Sequence, residues 1–181
     1  MAIETGQIFE NPNSGGTITV LESWTDNDGA RIRIERVLPP NTGKAAPHYH
    51  LDFAQTFEVV SGDATVEVDG ERLNLGPDDS VEIPIGTAHR DVWNEGPDEA
   101  TALLTLEPVP RFIEMYAETW LDSYSKGETN DQDEMPLLQI LVIARASDVQ
   151  SFAAGPPRWL QKATLPLLAG IGRLRGYRAL G

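Results

Sequence analysis

GKAAPHYHLDFAQTFEVVSG (residues 43–62), ATVEVDGERLNLG (64–76) and DDSVEIPIGTAHRDVWN (78–94) together hold all three histidines of this 181-residue chain. His48 and His50 stand at i and i+2, so on an extended strand both imidazoles leave the same face. His89 follows a Pro-x-Gly turn and opens a further short strand, HRDVW. Between the two histidine segments, QTFEVV alternates apolar and polar residues, and Asp69-Gly70 is a strong signal for a two-residue hairpin turn. Three histidines confined to two strand-like segments mark a site rather than scatter.

Working outward, TITVLES (17–23) and RIRIERV (31–37) alternate and flank the turn sequence TDNDGA, which predicts a hairpin with Ile18, Val20, Ile32 and Ile34 inward and the arginines in solvent. Residues 1–16 carry little periodicity and read as an extended arm. ATALLTL (100–106) is apolar on both faces and belongs in the middle of the packing. Short strands recurring every eight to twelve residues or so, with turn signals between them, predict an antiparallel sandwich or barrel. After Glu107 the pattern changes. Val109, Ile113, Tyr116, Trp120 and Tyr124 recur at helical spacing, and MPLLQILVIARA is apolar all round with a helix favoured by its length. A last helix begins near Arg158 with Leu160, Ala163, Leu167, Ile171 and Leu174 on one side. The outer face of the sheet is the expected bed for these helices. The domain expectation is a β-barrel with its N-terminal arm over 1–107 and a helical extension of the same domain over 108–181.

Composition narrows the function classes. There is no cysteine, so a metal here would have only nitrogen and oxygen donors. The net charge of −14 argues against a nucleic-acid partner. The N-terminal stretch lacks the basic and apolar regions of a secretory signal, and no apolar run is long enough to span a bilayer, which places the expectation in the cytoplasm. No acidic residue follows Asp148, whereas Arg158, Lys162, Arg173, Arg175 and Arg178 do. The plain reading is that this basic tail docks on its own acidic body or on a second subunit, with contact to an anionic membrane surface as the minority reading.

Gly43, His48-x-His50, Gln55, Gly62, Gly76, Pro84-x-Gly86-x-x-His89 and Trp93-Asn94 resemble the two sequence motifs of the cupin superfamily. The resemblance implies an all-β core, an antiparallel jelly-roll barrel, with the C-terminal helices packed on it. It also implies one divalent transition metal, iron, manganese, zinc, nickel or copper, held by His48, His50, Gln55 and His89. Gln55 departs from the family pattern, which usually has glutamate there. Three neutral imidazoles and an amide leave the metal charge uncompensated, which lowers affinity and sharpens Lewis acidity. Glu58 has the wrong strand parity to replace the missing carboxylate.

Phe53, Phe57 and Trp93 are candidates for a small-molecule pocket or for plain barrel packing. Asp91 shares the parity of His89 and is either an acceptor that orients a histidine or a rim residue. No residue is singled out as a general base. Three functions follow: a metal-dependent enzyme, in particular an oxygenase acting on a small, partly apolar molecule; a ligand- or metal-binding module without turnover; or an interaction protein that works through its helical tail. By resemblance to other cupins, a homodimer is expected.

Overall fold

The computed structural model describes residues 3–180. Ten strands precede the first long helix: β1 (Ile8–Glu10), β2 (Thr17–Glu22), β3 (Ile32–Leu38), β4 (His48–His50), β5 (Ala54–Ser61), β6 (Ala64–Val68), β7 (Glu71–Leu75), β8 (Ser80–Ile83), β9 (His89–Trp93) and β10 (Ala100–Glu107). Then come α1 (Arg111–Ser125), α2 (Leu137–Ala146), a short strand β11 (Ser151–Ala153) and α3 (Arg158–Leu174).

Two antiparallel sheets form, in the orders β1-β2-β3-β10-β5-β8 and β11-β4-β9-β6-β7. The period-2 pattern decides which side chains meet between them. Ile32, Ile34 and Leu38 of β3, Phe57 and Val59 of β5, and Ala102 and Leu104 of β10 join Val66 and Val92 of the second sheet in one buried cluster. The apolar strand β10 lies in the middle of its sheet, between β3 and β5.

Turn chemistry sets the registers. Val68 pairs with Glu71 across Asp69 and Gly70, both at positive φ, as a two-residue primed turn requires. At Gly62 a Cβ would sit 2.6 Å from the Glu99 carbonyl oxygen, so the strand junction closes only around a glycine.

Four sequence expectations change. The N-terminal arm contains a true edge strand, because β1 pairs with β2 over three residues, too few to show alternation. The solvent assignment of the β3 arginines holds for Arg31 and Arg33 but fails for Arg36. Arg36 shares the parity of Ile32 and Ile34, is buried, pairs with Asp133 at 3.6 Å and lies 5.2 Å from the Trp120 ring.

α1 accordingly packs on the inner side of the first sheet, its Phe112, Ile113, Met115 and Leu121 joining the same core cluster as the strands. α3 is the fourth correction. The predicted helix forms, but its stripe of Leu160, Leu167, Ile171 and Leu174 is exposed, and the helix instead rests on α2 through Ala169 and Gly172. Small residues allow that close approach: a Cβ on Gly172 would sit 2.7 Å from Val142 Cγ2.

β11 was not legible as a strand. It lies antiparallel to β4, with Ser151 opposite His50 and Ala153 opposite His48. Its other edge is covered by one side chain. Gln161 of α3 accepts from the Ala153 amide and donates to the Ala153 carbonyl, both at 3.0 Å.

Candidate metal centre

The three imidazoles come together because β4 and β9 run antiparallel with His48 directly opposite His89, and His50 follows on the same face of β4. Ring centroids are 4.5 Å apart for His48 and His89 and 4.8 Å for His50 and His89. One nitrogen from each of the three lies within 4.8 Å of the others. Gln55 reaches the group from β5 in the facing sheet, so the site bridges the two sheets.

The hydrogen bonds fix the tautomers. His48 Nδ1 faces the Ala46 carbonyl at 3.0 Å, His50 Nδ1 the Phe53 carbonyl at 2.6 Å, and His89 Nδ1 the Thr87 carbonyl at 2.9 Å. A carbonyl oxygen only accepts, so each Nδ1 carries the proton and each neutral ring presents the lone pair of Nε2. Gln55 donates its amide N–H to Asp91 Oδ1 at 2.8 Å, which turns its Oε1 towards His50 Nε2 at 3.0 Å. Oxygen and nitrogen there are both lone-pair donors. Among the described residues, His89 Nε2 is buried with no hydrogen-bond partner. The three imidazoles thus bring their Nε2 lone pairs into one site, and Gln55 Oε1 meets that of His50 with no proton between them.

Burial favours the neutral form of two of the rings, His50 and His89. Burial, and then the neighbouring His89, push His50 down to about 4. Burial likewise lowers His89, against the pull of Asp91. A cation other than a proton is the species that three clustered imidazole lone pairs with an amide oxygen beside them suit, so the donor set fits a divalent transition metal bound through nitrogen and oxygen.

Asp91 sits in this group rather than at a rim. Its Oδ1 is 3.7 Å from His89 Nε2 and 3.9 Å from His48 Nε2. Burial alone would raise its pKa, but His48, His89, the Gln55 amide and Arg36 outweigh that and keep it below the usual carboxylate range. Phe53 stacks on His50 at 3.7 Å with 15° between the planes. Phe57 is wholly inside the apolar cluster.

Trp93 does not join the histidines: its ring lies under Lys44 at 5.0 Å and Arg72 at 5.6 Å. A ladder irregularity in β6–β9 between Thr65 and Glu67 interrupts the strand's alternation between Asp91 and Trp93. Glu58 is exposed and pairs with Arg33, as its parity required.

Two residues near the site escaped the sequence reading. Arg36 is close enough to Asp91 to stabilise its charge, and Tyr116 of α1 is held far above its usual pKa by burial and then by Asp91. The inward parity of Arg36 was readable in β3; the reach of α1 across the inner face was not. A cleft of about 380 Å³ lies elsewhere, between α2, α3 and β11, lined by Leu141, Arg145, Phe152, Lys162 and Leu165 among others.

Part of the chain is similar to several solved structures at low identity. A predicted oxalate decarboxylase from Thermotoga maritima is 19% identical, with a TM-score of 0.48, covering 60% of this chain and 100% of its own. KdgF from a Halomonas species is 20% identical, with a TM-score of 0.47, covering 60% and 92%. The Cupin_2 domain of an XRE family transcriptional regulator from Enterobacter cloacae is 20% identical, with a TM-score of 0.44, covering 51% and 95%. No curated protein matches the chain. Residues 35–106 match the Cupin_2 family, described as a cupin domain. Both histidine segments lie inside that match.

Proposed function

We propose that this protein binds one divalent transition metal through His48, His50 and His89 Nε2 and Gln55 Oε1, inside a cupin jelly roll formed by the two sheets. The observation that carries the reading is the set of three Nδ1–H groups pinned on backbone carbonyls, which leaves every Nε2 lone pair directed into the site. Asp91 answers the charge problem raised by Gln55. Its carboxylate lies within 4 Å of two of the imidazoles and is oriented by the Gln55 amide, so the negative charge usual on β5 is supplied from β9. When bound, the ion would supply Lewis acidity and, as iron(II), redox chemistry. The protein's own part is to hold the rings in one tautomer, to keep His50 and His89 neutral, and to place the Phe53 ring and the apolar cluster beside them.

The enzymatic form of this reading is an oxygenase acting on a small, partly apolar molecule; the competing form is a binding module without turnover, favoured by the amide in place of a carboxylate. Metal titration of the stripped protein tests the shared premise. Wild type takes up close to one Co(II), Zn(II) or Mn(II) per chain, His89→Ala takes up none, and Asp91→Asn binds some 10- to 100-fold more weakly while remaining folded. Failure of wild type to load any of the three ions refutes the proposal. Oxygen uptake by the iron(II)-loaded protein across phenols, thiols and diketones then separates the two forms.

A further inference from the structure

β4 and β11 divide their side chains between two faces. Ser151 and Ala153 stand opposite His50 and His48, so these four share the metal side, whereas Tyr49 and Phe152 pair on the back with their rings 5.7 Å apart. Phe152 there lines the cleft of about 380 Å³ between α2, β11 and α3, a size usual for small-molecule sites. Leu141, Val149 and Leu165 complete an apolar lining, which also includes Arg145 and Lys162.

Charge around this cleft is one-sided. Lys162 and Arg158 lie 5.6 and 4.8 Å from the centre of the Phe152 ring. Every lysine and arginine from Arg31 to Lys126 has an ion-pair partner, but among the described residues Arg145, Arg158 and Lys162 have none. Asp148 is the single acidic residue in the lining, which leaves three cations against one carboxylate. The chain's net charge of −14 does not cancel this, because salt at 0.15 M screens charges more than about 8 Å away and a small ion answers first to the groups it touches. Gln161, also in the lining, is already bonded to Ala153 and Pro156. The charged side chains are thus left to fix a ligand's polar end.

We propose that this cleft binds a small amphiphilic monoanion, an aliphatic carboxylate, with its head between Arg145 and Lys162 and its chain against Phe152, Leu141 and Leu165. The apolar lining suits a chain that asks for no hydrogen bond, and the carboxylate relieves the repulsion among cations that lack a partner in the fold. A neutral alcohol of the same length gains only the apolar part. An alkylammonium sets its own charge against three cations, with Asp148 alone to answer it. The site lies on the opposite face of β4 from the imidazoles and stands whether or not they hold a metal.

The test follows amide chemical shifts of the isotope-labelled, metal-stripped full chain during titration with hexanoate, 1-hexanol and hexylammonium, probes of equal chain and different charge. Hexanoate binds with a Kd of about 1 mM and moves the amides of Val149, Phe152 and Lys162. 1-Hexanol, lacking both ion contacts, binds about 4- to 25-fold more weakly, roughly two- to fivefold for each, and hexylammonium more weakly still. Arg145→Gln with Lys162→Gln weakens hexanoate by the same factor with circular dichroism unchanged, since both side chains are exposed. Arg145→Glu with Lys162→Glu reverses the order in favour of hexylammonium. Equal binding of the three probes, binding of none, or an order that survives the charge reversal overturns the proposal. So do shifts centred on Leu167 and Leu174, which would place the chain on the exposed stripe of α3.

Discussion

Replacing Gln55 by glutamate restores the residue usual in cupins, yet the metal-free protein should lose stability by it. In the wild type the Gln55 amide donates to Asp91 Oδ1 across 2.8 Å. Glutamate in the same rotamer puts a second carboxylate at that distance. Two unit charges so placed repel by about 6 kcal/mol at an effective dielectric near 20. Protonating one carboxyl at pH 7 costs less, about 4 kcal/mol from a reference pKa near 4.3, so the pair takes up a proton rather than bear the repulsion. The cost to folding is then about 4 kcal/mol at pH 7 and about 1 kcal/mol at pH 5.

A shared proton means a folded-state pKa above the unfolded one, so the deficit grows as pH rises and fades as it falls. Urea denaturation of metal-stripped wild type and Gln55→Glu between pH 5 and 7.5 measures the difference. A saturating divalent ion would offset the added negative charge, so the variant gains more thermal stability from metal than wild type does. A deficit that is flat with pH, or below about 1 kcal/mol at pH 7, would refute the close Gln55–Asp91 geometry.

Three further outcomes follow from separate parts of the molecule. Asp133→Ala strands Arg36 as a buried charge without its 3.6 Å partner and should cost about 3–5 kcal/mol in chemical denaturation. In the metal-stripped wild type, His50 is held down at about 4, so its contribution to stability is full above the unfolded value near 6.5 and is lost as pH falls towards 4. That loss amounts to about 2 kcal/mol at pH 5, read from denaturation midpoints across pH. Gly172→Ala places a methyl 2.9 Å from the Leu138 carbonyl oxygen, which cannot move aside, so α3 lifts from α2 at a cost of about 1–3 kcal/mol and the 154–157 segment is cleaved faster by protease.

The strands of the body and the histidine cluster were legible because they rest on short-range rules. Alternation aimed Gln55 inward and Glu58 outward, and Asp69-Gly70 marked its hairpin. Trp93 turns away from the histidines at a single ladder irregularity between β6 and β9, and nothing local in HRDVW announces it. Arg36 went to solvent in the reading because its two neighbours in RIRIERV did, although its own parity said otherwise. β1 and β11 are three residues each and exist only through partners distant in sequence. The exposed side of α3 was read as buried because periodicity finds an apolar face without saying what covers it. The role of Asp91 turned on one amide proton from Gln55, a matter of side-chain geometry beyond spacing.

β4 is only three residues long and meets β9 at one registered pair, so much of its backbone pairing comes from β11. The Leu51 amide bonds to the Gln150 carbonyl at 3.1 Å, and the Ala154 amide to the Pro47 carbonyl at 2.9 Å. β11 in turn is closed on its far edge by Gln161 of α3. The histidine strand therefore belongs, in opening free energy, to the C-terminal unit rather than to the ten-strand body. In native-state hydrogen exchange the Leu51 amide should lose protection together with Ala153 and the amides of α3, well before β3, β5 and β10. On that prediction, the segment that brings the imidazoles together opens with the last helix.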